Sequence, residues 1–330
     1  MMDLTRKKGA FKHFVNMSSG EKKQVILYNG GQLVWSFVRA VLIFGICFII
    51  LHPLFTKITV SIMSEKDLYD ATVQYVPREV TLSNYLLALQ GMDYGWTFLR
   101  TLFLSLLVSV LQLISCAMVG YGFARFKFPF KNAIFMLVIL CLLVPPQTLM
   151  LPIFLHFRFF DLFGIFGFLT DKGSVNLLDS LWPFILTAIT AQGFKNGLYI
   201  FMLRQYFKGM PMELEEAAYI DGYGYFKTFY KIMIPSAVPM LVTVFLFSFV
   251  WQWTDSFYTN LYLSDYKVMS NTLGSLAANI YSNELNFVSP ALASMINNTG
   301  TVLVILPLFI IYLFAQRFFV ESIERSGIVG

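Results

Sequence analysis

Six apolar stretches, each long enough to cross a bilayer core of about 30 Å, constrain this chain more than any other feature of its sequence. In lipid every backbone polar group must be satisfied internally, so only helices and closed barrels span membranes, and continuous apolar runs of this length are typical of helices. The sequence therefore predicts an all-α membrane protein with six transmembrane helices. The stretches lie at roughly 34–63, 96–123, 133–157, 181–206, 237–258 and 292–319.

The composition agrees with a membrane protein and excludes several other classes. Hydrophobic residues make up 57% of the chain and charged residues 13%, whereas about a quarter of an ordinary soluble domain is charged. The net charge of +5 is better explained by membrane topology than by nucleic-acid binding. Three cysteines and three histidines are scattered at unrelated spacings, so we expect neither a disulfide framework nor a metal site.

The distribution of lysine and arginine predicts the topology. Basic residues are concentrated between stretches two and three, between four and five, and after six, while the opposite loops hold fewer. The positive-inside rule then places both termini in the cytosol. We therefore expect a basic cytosolic tail at 1–33, a six-span membrane domain at 34–319 and a cytosolic tail at 320–330.

One long polar interruption, from Pro211 to Pro239, separates stretches four and five. Its first turn is rich in glutamate, which favours a helix N-terminus because of the helix dipole. Gly222 and Gly224 then break the run, and a second short helix is plausible from Tyr225 to Ile232. Pro235 can open the apolar helix that follows. The segment is predicted to be a helical elbow of two short helices joined by a bend.

This elbow resembles the EAA loop of permease subunits in binding-protein-dependent ABC importers. The residues that carry the resemblance are Glu216, Ala217, Ala218, Asp221, Gly222, Ile232 and Pro235, and the continuation to Pro239 is similar to the maltose-type branch, which imports carbohydrates. The resemblance implies that the cytosolic loop at 208–234 is a coupling helix that docks in a cleft of a separate ATPase subunit.

The resemblance also implies a role for each residue of this motif. Glu216 and Asp221 are expected to make polar contacts with the ATPase or to fix the elbow. The small side chains of Ala217 and Ala218 permit close docking, and Gly222 permits the bend. Tyr223 stands where the family usually has a small residue.

Shorter segments extend the resemblance over roughly residues 36–330 and imply the type I ABC importer permease fold. They are Thr81 to Tyr85, Gly120 to Phe128, Val144 to Gln147 with Pro152, Leu203 to Phe207, and Phe318 to Glu321 with the final glycine.

The family implies a set of partners and no catalysis by this chain itself. The sequence holds no GxxxxGK[ST] loop, so ATP and Mg are expected on two partner ATPase subunits. A second homologous permease would complete the path, and an extracellular solute-binding protein would deliver a sugar or oligosaccharide for alternating access. The chain is expected in the inner membrane of a bacterial cell, as a multi-pass protein surrounded by lipid.

Lys195, followed by Asn196, is the clearest charge inside an apolar stretch. A charge at the centre of a transmembrane helix costs about 2.5–3.5 kcal/mol on insertion scales, so it calls for an explanation. Lys195 can snorkel or pair with a carboxylate. The alternative is that it faces the transport pathway and meets a hydroxyl-rich or acidic sugar.

Two further groups are candidates for the pathway. Trp251, Gln252, Trp253 and Asp255 end stretch five, where they form either an aromatic belt at the outer interface or a surface that recognises sugar rings and hydroxyls. Asn297 and Asn298 lie in stretch six, where polar groups must face protein or a watery cavity. Helix packing and a pathway explain them equally well.

Two other classes of protein remain open at this point. An ion- or proton-coupled secondary transporter or channel would need no ATPase, but it usually carries paired ionisable residues in the membrane, and here Lys195 stands out alone. An intramembrane enzyme would need a catalytic constellation, and the sequence shows none.

Overall fold

The computed structural model of the chain describes residues 19–161, 164, 173–193, 195–281 and 289–327. Residues 1–18 of the predicted N-terminal tail and 328–330 of the predicted C-terminal tail lie outside the described residues. The chain divides into two units, residues 1–59 and 60–330. The described residues are helical apart from turns and two isolated β-bridges, Met63–Val80 and Phe160–Val175, which confirms the all-α class.

Helix α1 (Ser19–Ser61) accounts for the described part of the first unit. It begins in the predicted tail, ahead of the first apolar stretch. Its segment Gly30–Ser61 is long and apolar enough to cross a membrane.

The second unit begins with two short helices, α2 (Glu65–Tyr69) and α3 (Ser83–Gly91), followed by the long helix α4 (Tyr94–Arg125). The later helices are α5 (Lys131–Leu140), α6 (Met150–Arg158), α7 (Trp182–Ile189), α8 (Asn196–Gly209), α9 (Glu213–Ile220), α10 (Tyr225–Thr228), α11 (Ile234–Ser236), α12 (Val238–Thr254), α13 (Phe257–Tyr262), α14 (Met269–Tyr281) and α15 (Pro290–Gly327). A 3₁₀ turn at Pro146–Leu149 precedes α6, and a π-helical turn at Phe229–Met233 joins α10 to α11.

Helix α4 is the centre of the second unit, because α7, α8 and α12 all pack against it. Close approach of α8 requires a small residue on α4: a Cβ on Gly120 would lie 2.9 Å from the Cβ of Leu203. The core around this contact includes Tyr199, Phe207 and Met233, none of which is exposed. The end of α4 nearest Arg125 is therefore fixed to the segment that contains the predicted elbow.

Stretches three and four are not single helices, contrary to the prediction. In stretch three α5 ends at Leu140, and prolines at 145 and 146, which lack a backbone N–H, coincide with the break. In stretch four α7 ends at Ile189, and Ala191 and Lys195 adopt left-handed backbone conformations before α8 begins. Among the described residues three helices are long and apolar enough to span, or four if the segment Tyr225–Ser236 and α12 are counted as one bent span.

Candidate functional site

The candidate site begins with α9, the first arm of the elbow, which we define as residues 211–236. Glu215 and Ala218, three residues apart on one helix face, are buried, whereas Glu216 and Ala217 are exposed. The motif therefore divides between two faces: Ala218 packs inward and Glu216 and Ala217 face away from the protein.

A glycine turn ends α9. Gly222 has φ +78°, in the left-handed region that favours glycine, and its N–H donates to the Tyr219 carbonyl over 3.0 Å. The Tyr223 N–H donates to the Ala218 carbonyl over 2.9 Å. These two bonds form a Schellman motif that satisfies the last carbonyls of the helix, with Asp221 as the exposed C-cap. The bend predicted from the glycine is thus set by local hydrogen bonding.

The second arm of the elbow runs through α10, the π-helical turn and α11. It meets α12 at an angle of 79°. Pro235 lies in the first turn of α11, and the partly buried Ile232 accepts a hydrogen bond from the Ser236 hydroxyl at its carbonyl, over 2.8 Å. Pro239 lies in the first turn of α12. The elbow therefore joins the apolar helix as a sharp corner.

A buried ion pair holds the first arm to α4. Arg125, the last residue of α4, places its Nε 3.0 Å from Oε1 of Glu215, and both side chains are 6% exposed. A second guanidinium nitrogen of Arg125 donates to the Met210 carbonyl over 2.6 Å. The arginine thus fixes both the helix and the chain that leads into it.

An aromatic cluster supports the second arm. Tyr121 of α4 lies between Phe207 of α8 and Phe229 of the π-helical turn, with ring centroids 5.6 Å and 4.8 Å away. Burial and then the nearby Glu215 carboxylate raise the pKa of Tyr219 on the first arm above its ordinary value. Both arms therefore pack against the end of α4.

The outer side of the elbow is apolar and exposed. Ile220 is 87% exposed and Phe226 is 83% exposed, and Tyr225 and Tyr230 are also exposed. Large apolar side chains left exposed on one short polar segment are typical of a protein-binding site. We call these four residues the elbow surface.

Lys195 and Trp251, two of the predicted pathway residues, are brought together. The ammonium of Lys195 lies 4.6 Å from the centroid of the Trp251 ring, within the range of a cation–π contact. Lys195 stands at the break between α7 and α8, with φ 63°. The sequence predicted that it would lie within a continuous transmembrane helix, and it does not.

The other residues at the end of α12 have separate surroundings. Gln252 is 9% exposed, and its Nε2 has no hydrogen-bond partner among the described residues. Trp253 is wholly buried and its indole N–H donates to the Val304 carbonyl over 3.1 Å, so in this conformation it packs in the core rather than lining a path. Asp255 is buried two residues before α13 and accepts hydrogen bonds from the N–H and the hydroxyl of Thr259.

The three predicted asparagines lie on two helices. Asn196 is the first residue of α8 and is buried, and neither its Oδ1 nor its Nδ2 has a hydrogen-bond partner within the described ranges. Asn297 and Asn298 are partly buried on α15, where the Asn298 amide donates to the Ser294 hydroxyl over 3.4 Å.

Sequence reasoning missed Arg125, Glu215 and Gln112 as functional candidates. Gln112 is a buried amide midway along α4, and the signal was its position inside an apolar stretch, as for Lys195. No comparable signal marks the pair of Arg125 and Glu215, since each residue is unremarkable in its own segment.

In the part of the chain that the structure describes, no three histidine, cysteine or acidic side chains are grouped to hold a metal ion.

Comparison with known proteins gives a family match. Residues 116–325 match the profile of a family described as binding-protein-dependent transport system inner membrane component. This range includes the last ten residues of α4, the elbow and α12.

Individual relatives cover most of the chain. The arabinooligosaccharides transport system permease protein AraQ of Halalkalibacterium halodurans is 28% identical over 289 residues, which are 86% of this chain and 93% of that protein. The melibiose/raffinose/stachyose import permease protein MelC of Bacillus subtilis is 25% identical, over 84% of this chain and 91% of that protein.

A solved structure has a similar fold. It belongs to a bacterial ABC transporter involved in the import of the acidic polysaccharide alginate, with a TM-score of 0.65 and 22% identity, and the match covers 88% of this chain and 98% of that one.

Proposed function

The chain belongs to the family of binding-protein-dependent transport system inner membrane components, and from that premise we propose that it is the permease subunit of an ATP-driven importer of a sugar or oligosaccharide. It is an ABC importer permease and a multi-pass membrane protein. The substrate class is supported by AraQ and MelC, whose names give arabinooligosaccharides, melibiose, raffinose and stachyose.

The proposed topology has six spans with both termini in the cytosol of a bacterial cell. Three spans correspond to α1, α4 and α15, and a fourth to α12. The remaining two are interrupted spans, formed by α5 with α6 and by α7 with α8. Interrupted helices are tolerated at membrane depth where the freed backbone groups face protein or a water-filled cavity. The concentration of Lys and Arg on the side of the elbow supports the cytosolic assignment.

The observation that carries the proposal is the elbow surface beside the EAA motif. In the proposed complex this surface docks in a cleft of an ATPase subunit that holds ATP and Mg. Glu216 and Ala217 face outward with it, which suits polar contact and close approach, while Gly222 sets the bend. The ion pair of Arg125 with Glu215 ties the first arm to α4, so a displaced elbow would move α4 with it.

The proposed substrate path passes the break in the fourth span. Lys195 and Trp251 present a cation and an aromatic ring side by side, and both chemistries suit a hydroxyl-rich or acidic sugar. Asn196 and Gln252 add amides in the same region of sequence. A second homologous permease would supply the other wall, and a solute-binding protein outside would deliver the sugar.

The experiment is to tag the chain, solubilise the native membrane gently and identify by mass spectrometry what co-purifies in stoichiometric amount. We expect a homologous permease and an ATPase that carries a GxxxxGK[ST] loop. The variant Ile220→Glu should lose the ATPase while keeping the second permease, and Ile220→Leu is its matched control. Recovery of the chain alone, still transporting in vesicles without ATP, would overturn the proposal.

A further inference from the structure

A cavity of about 160 Å³ lies where α4, α6, α7, α12 and α13 meet. Five elements of the second unit contribute to its wall, and the middle of α4 provides one side. The polar side chains in the wall include Gln112, Thr187 and Gln252, and the aromatic ones include Phe157, Phe184 and Tyr262. The cavity therefore combines amides and rings in one lining.

The amide side of the cavity is built from buried residues. Gln112 is 3% exposed, and its Oε1 accepts a short hydrogen bond from the Ser248 hydroxyl, which fixes the orientation of the amide. Its Nε2 is directed toward Gly193, where an added Cβ would lie only 2.5 Å away. Gln252 lines the same cavity, and its Nε2 donates a hydrogen bond to no acceptor among the described residues. A buried donor without a partner costs free energy, and a bound ligand or water can satisfy it.

The aromatic side is rigid. Tyr262 packs edge-on against Phe157, with ring centroids 5.3 Å apart, and against Phe184, with centroids 5.1 Å apart. These edge-to-face contacts fix the rings relative to one another. A sugar ring has apolar C–H faces and a rim of hydroxyls, so a cavity lined by both aromatic rings and amides matches both parts of it.

The volume suits one ring of a saccharide. An engineered apolar cavity of about 150 Å³ is large enough to bind benzene, a six-membered ring. A cavity of about 160 Å³ therefore has room for one six-membered ring. Its lining residues Gly193 and Gln252 are close in sequence to Lys195 and Trp251.

We propose that this cavity is a subsite that holds one sugar ring of the transported saccharide, with Gln112 and Gln252 as hydrogen-bond partners of its hydroxyls. The proposal rests on the function proposed above, import of a saccharide. Ordered water could satisfy the Nε2 of Gln252 equally well, so the test must separate a saccharide subsite from a structural water site.

Two threonines of one helical segment provide a matched pair of variants. The Thr187 hydroxyl donates to the Pro183 carbonyl over 2.8 Å, and the Thr190 hydroxyl donates to the Leu186 carbonyl over 2.7 Å. Thr187 lines the cavity, and Thr190 is exposed and does not. Thr187→Leu and Thr190→Leu therefore remove the same kind of bond and add the same volume, but only the first fills the cavity.

Gln252→Leu is the second test variant. Its control is Gln316→Leu, because Gln316 is exposed.

The measurement is ATP-driven uptake by the whole complex in proteoliposomes, with tritiated arabinotriose, raffinose and maltotriose offered one at a time with the binding protein. For each sugar that wild type takes up, we expect both cavity variants to lower uptake about tenfold. Thr187→Leu does so because its larger side chain excludes the sugar ring, and Gln252→Leu because it removes a hydrogen bond to the sugar. The amount of assembled complex should be unchanged, and both controls should stay within about twofold.

The outcomes separate this inference from the function on which it rests. Wild-type uptake with both cavity variants within about twofold of it would identify a water site and overturn the subsite alone. If Thr187→Leu fails to assemble, Gln252→Leu decides the question. A wild-type complex that takes up no saccharide would overturn the proposed function itself, and the subsite with it.

Discussion

Arg125 and Glu215 form a buried ion pair, with Nε 3.0 Å from Oε1, that joins the end of the central helix α4 to the first arm of the elbow. The two residues are far apart in sequence and both side chains are 6% exposed. Because both charges are withdrawn from water, removal of either one leaves the other buried and unpaired.

This pair should dominate the stability of the elbow. We expect Arg125→Met to lower the free energy of unfolding by about 3–5 kcal/mol, since it strands the Glu215 carboxylate. The double variant with Glu215→Met should recover most of this loss. Thermal unfolding of the purified complex measures the loss in the single variant and its recovery in the double variant. Glu213→Met is the control, because Glu213 is an exposed acid in the same turn, and an equal loss in that variant would contradict a special role for the ion pair.

Gly222 should be required for coupling. At φ +78° a valine would cost about 1–2 kcal/mol and shift the bend. We expect Gly222→Val to insert in the membrane but to lower the number of sugars transported per ATP hydrolysed. Gly224 has φ −81° and open space around it, so Gly224→Ala should behave as wild type. Normal coupling in Gly222→Val would refute the bend assignment.

The contact between α4 and α8 should tolerate no added methyl group at Gly120. A Cβ there would meet the Cβ of Leu203 at 2.9 Å and the backbone nitrogen of Arg204 at 3.2 Å, and neither can move freely. Gly120→Ala should therefore destabilise the complex by about 1–3 kcal/mol in thermal unfolding.

The matched control is Gly122, two residues further along the same helix. At Gly122 the nearest atom is 3.9 Å from the added Cβ, so Gly122→Ala should be neutral or stabilising by up to about 1 kcal/mol. Similar unfolding temperatures for the two alanine variants would show that α8 does not approach α4 as closely as described.

Lys195 and Trp251 should act together on the substrate. We expect Lys195→Met to lower uptake of an acidic oligosaccharide more than uptake of a neutral one, by roughly tenfold to a hundredfold, because the ammonium can no longer make a hydrogen bond to the sugar carboxylate, which contributes about 1.5–3 kcal/mol. Lys267→Met, which removes an exposed lysine elsewhere, is the control. Unaltered uptake of every substrate by Lys195→Met would remove this residue from the pathway.

The elbow could be predicted from sequence because local chemistry determines it. Gly222 needs only its own backbone conformation and two hydrogen bonds within the turn, and the prolines mark the starts of α11 and α12. The ion pair of Arg125 with Glu215 could not be predicted, since nothing within either segment specifies its distant partner.

The interrupted spans were predicted less well. Hydropathy shows whether a segment is apolar but not whether its helix is continuous. The left-handed backbone conformations of Ala191 and Lys195, where the helix breaks, could therefore not be predicted from it. Trp251 and Trp253 show a similar limit. Residues two apart face different sides of a helix, and only packing against α15 reveals that Trp253 is the core residue.

The most direct test of the account is uptake of a labelled saccharide by proteoliposomes that contain this chain, its co-purified permease and its ATPase, with the binding protein outside. We predict that uptake requires ATP on the ATPase side and stops when the ATPase is removed or when its phosphate-binding lysine is changed to alanine. Uptake that proceeds without ATP and follows an ion gradient would contradict the account and identify a secondary transporter.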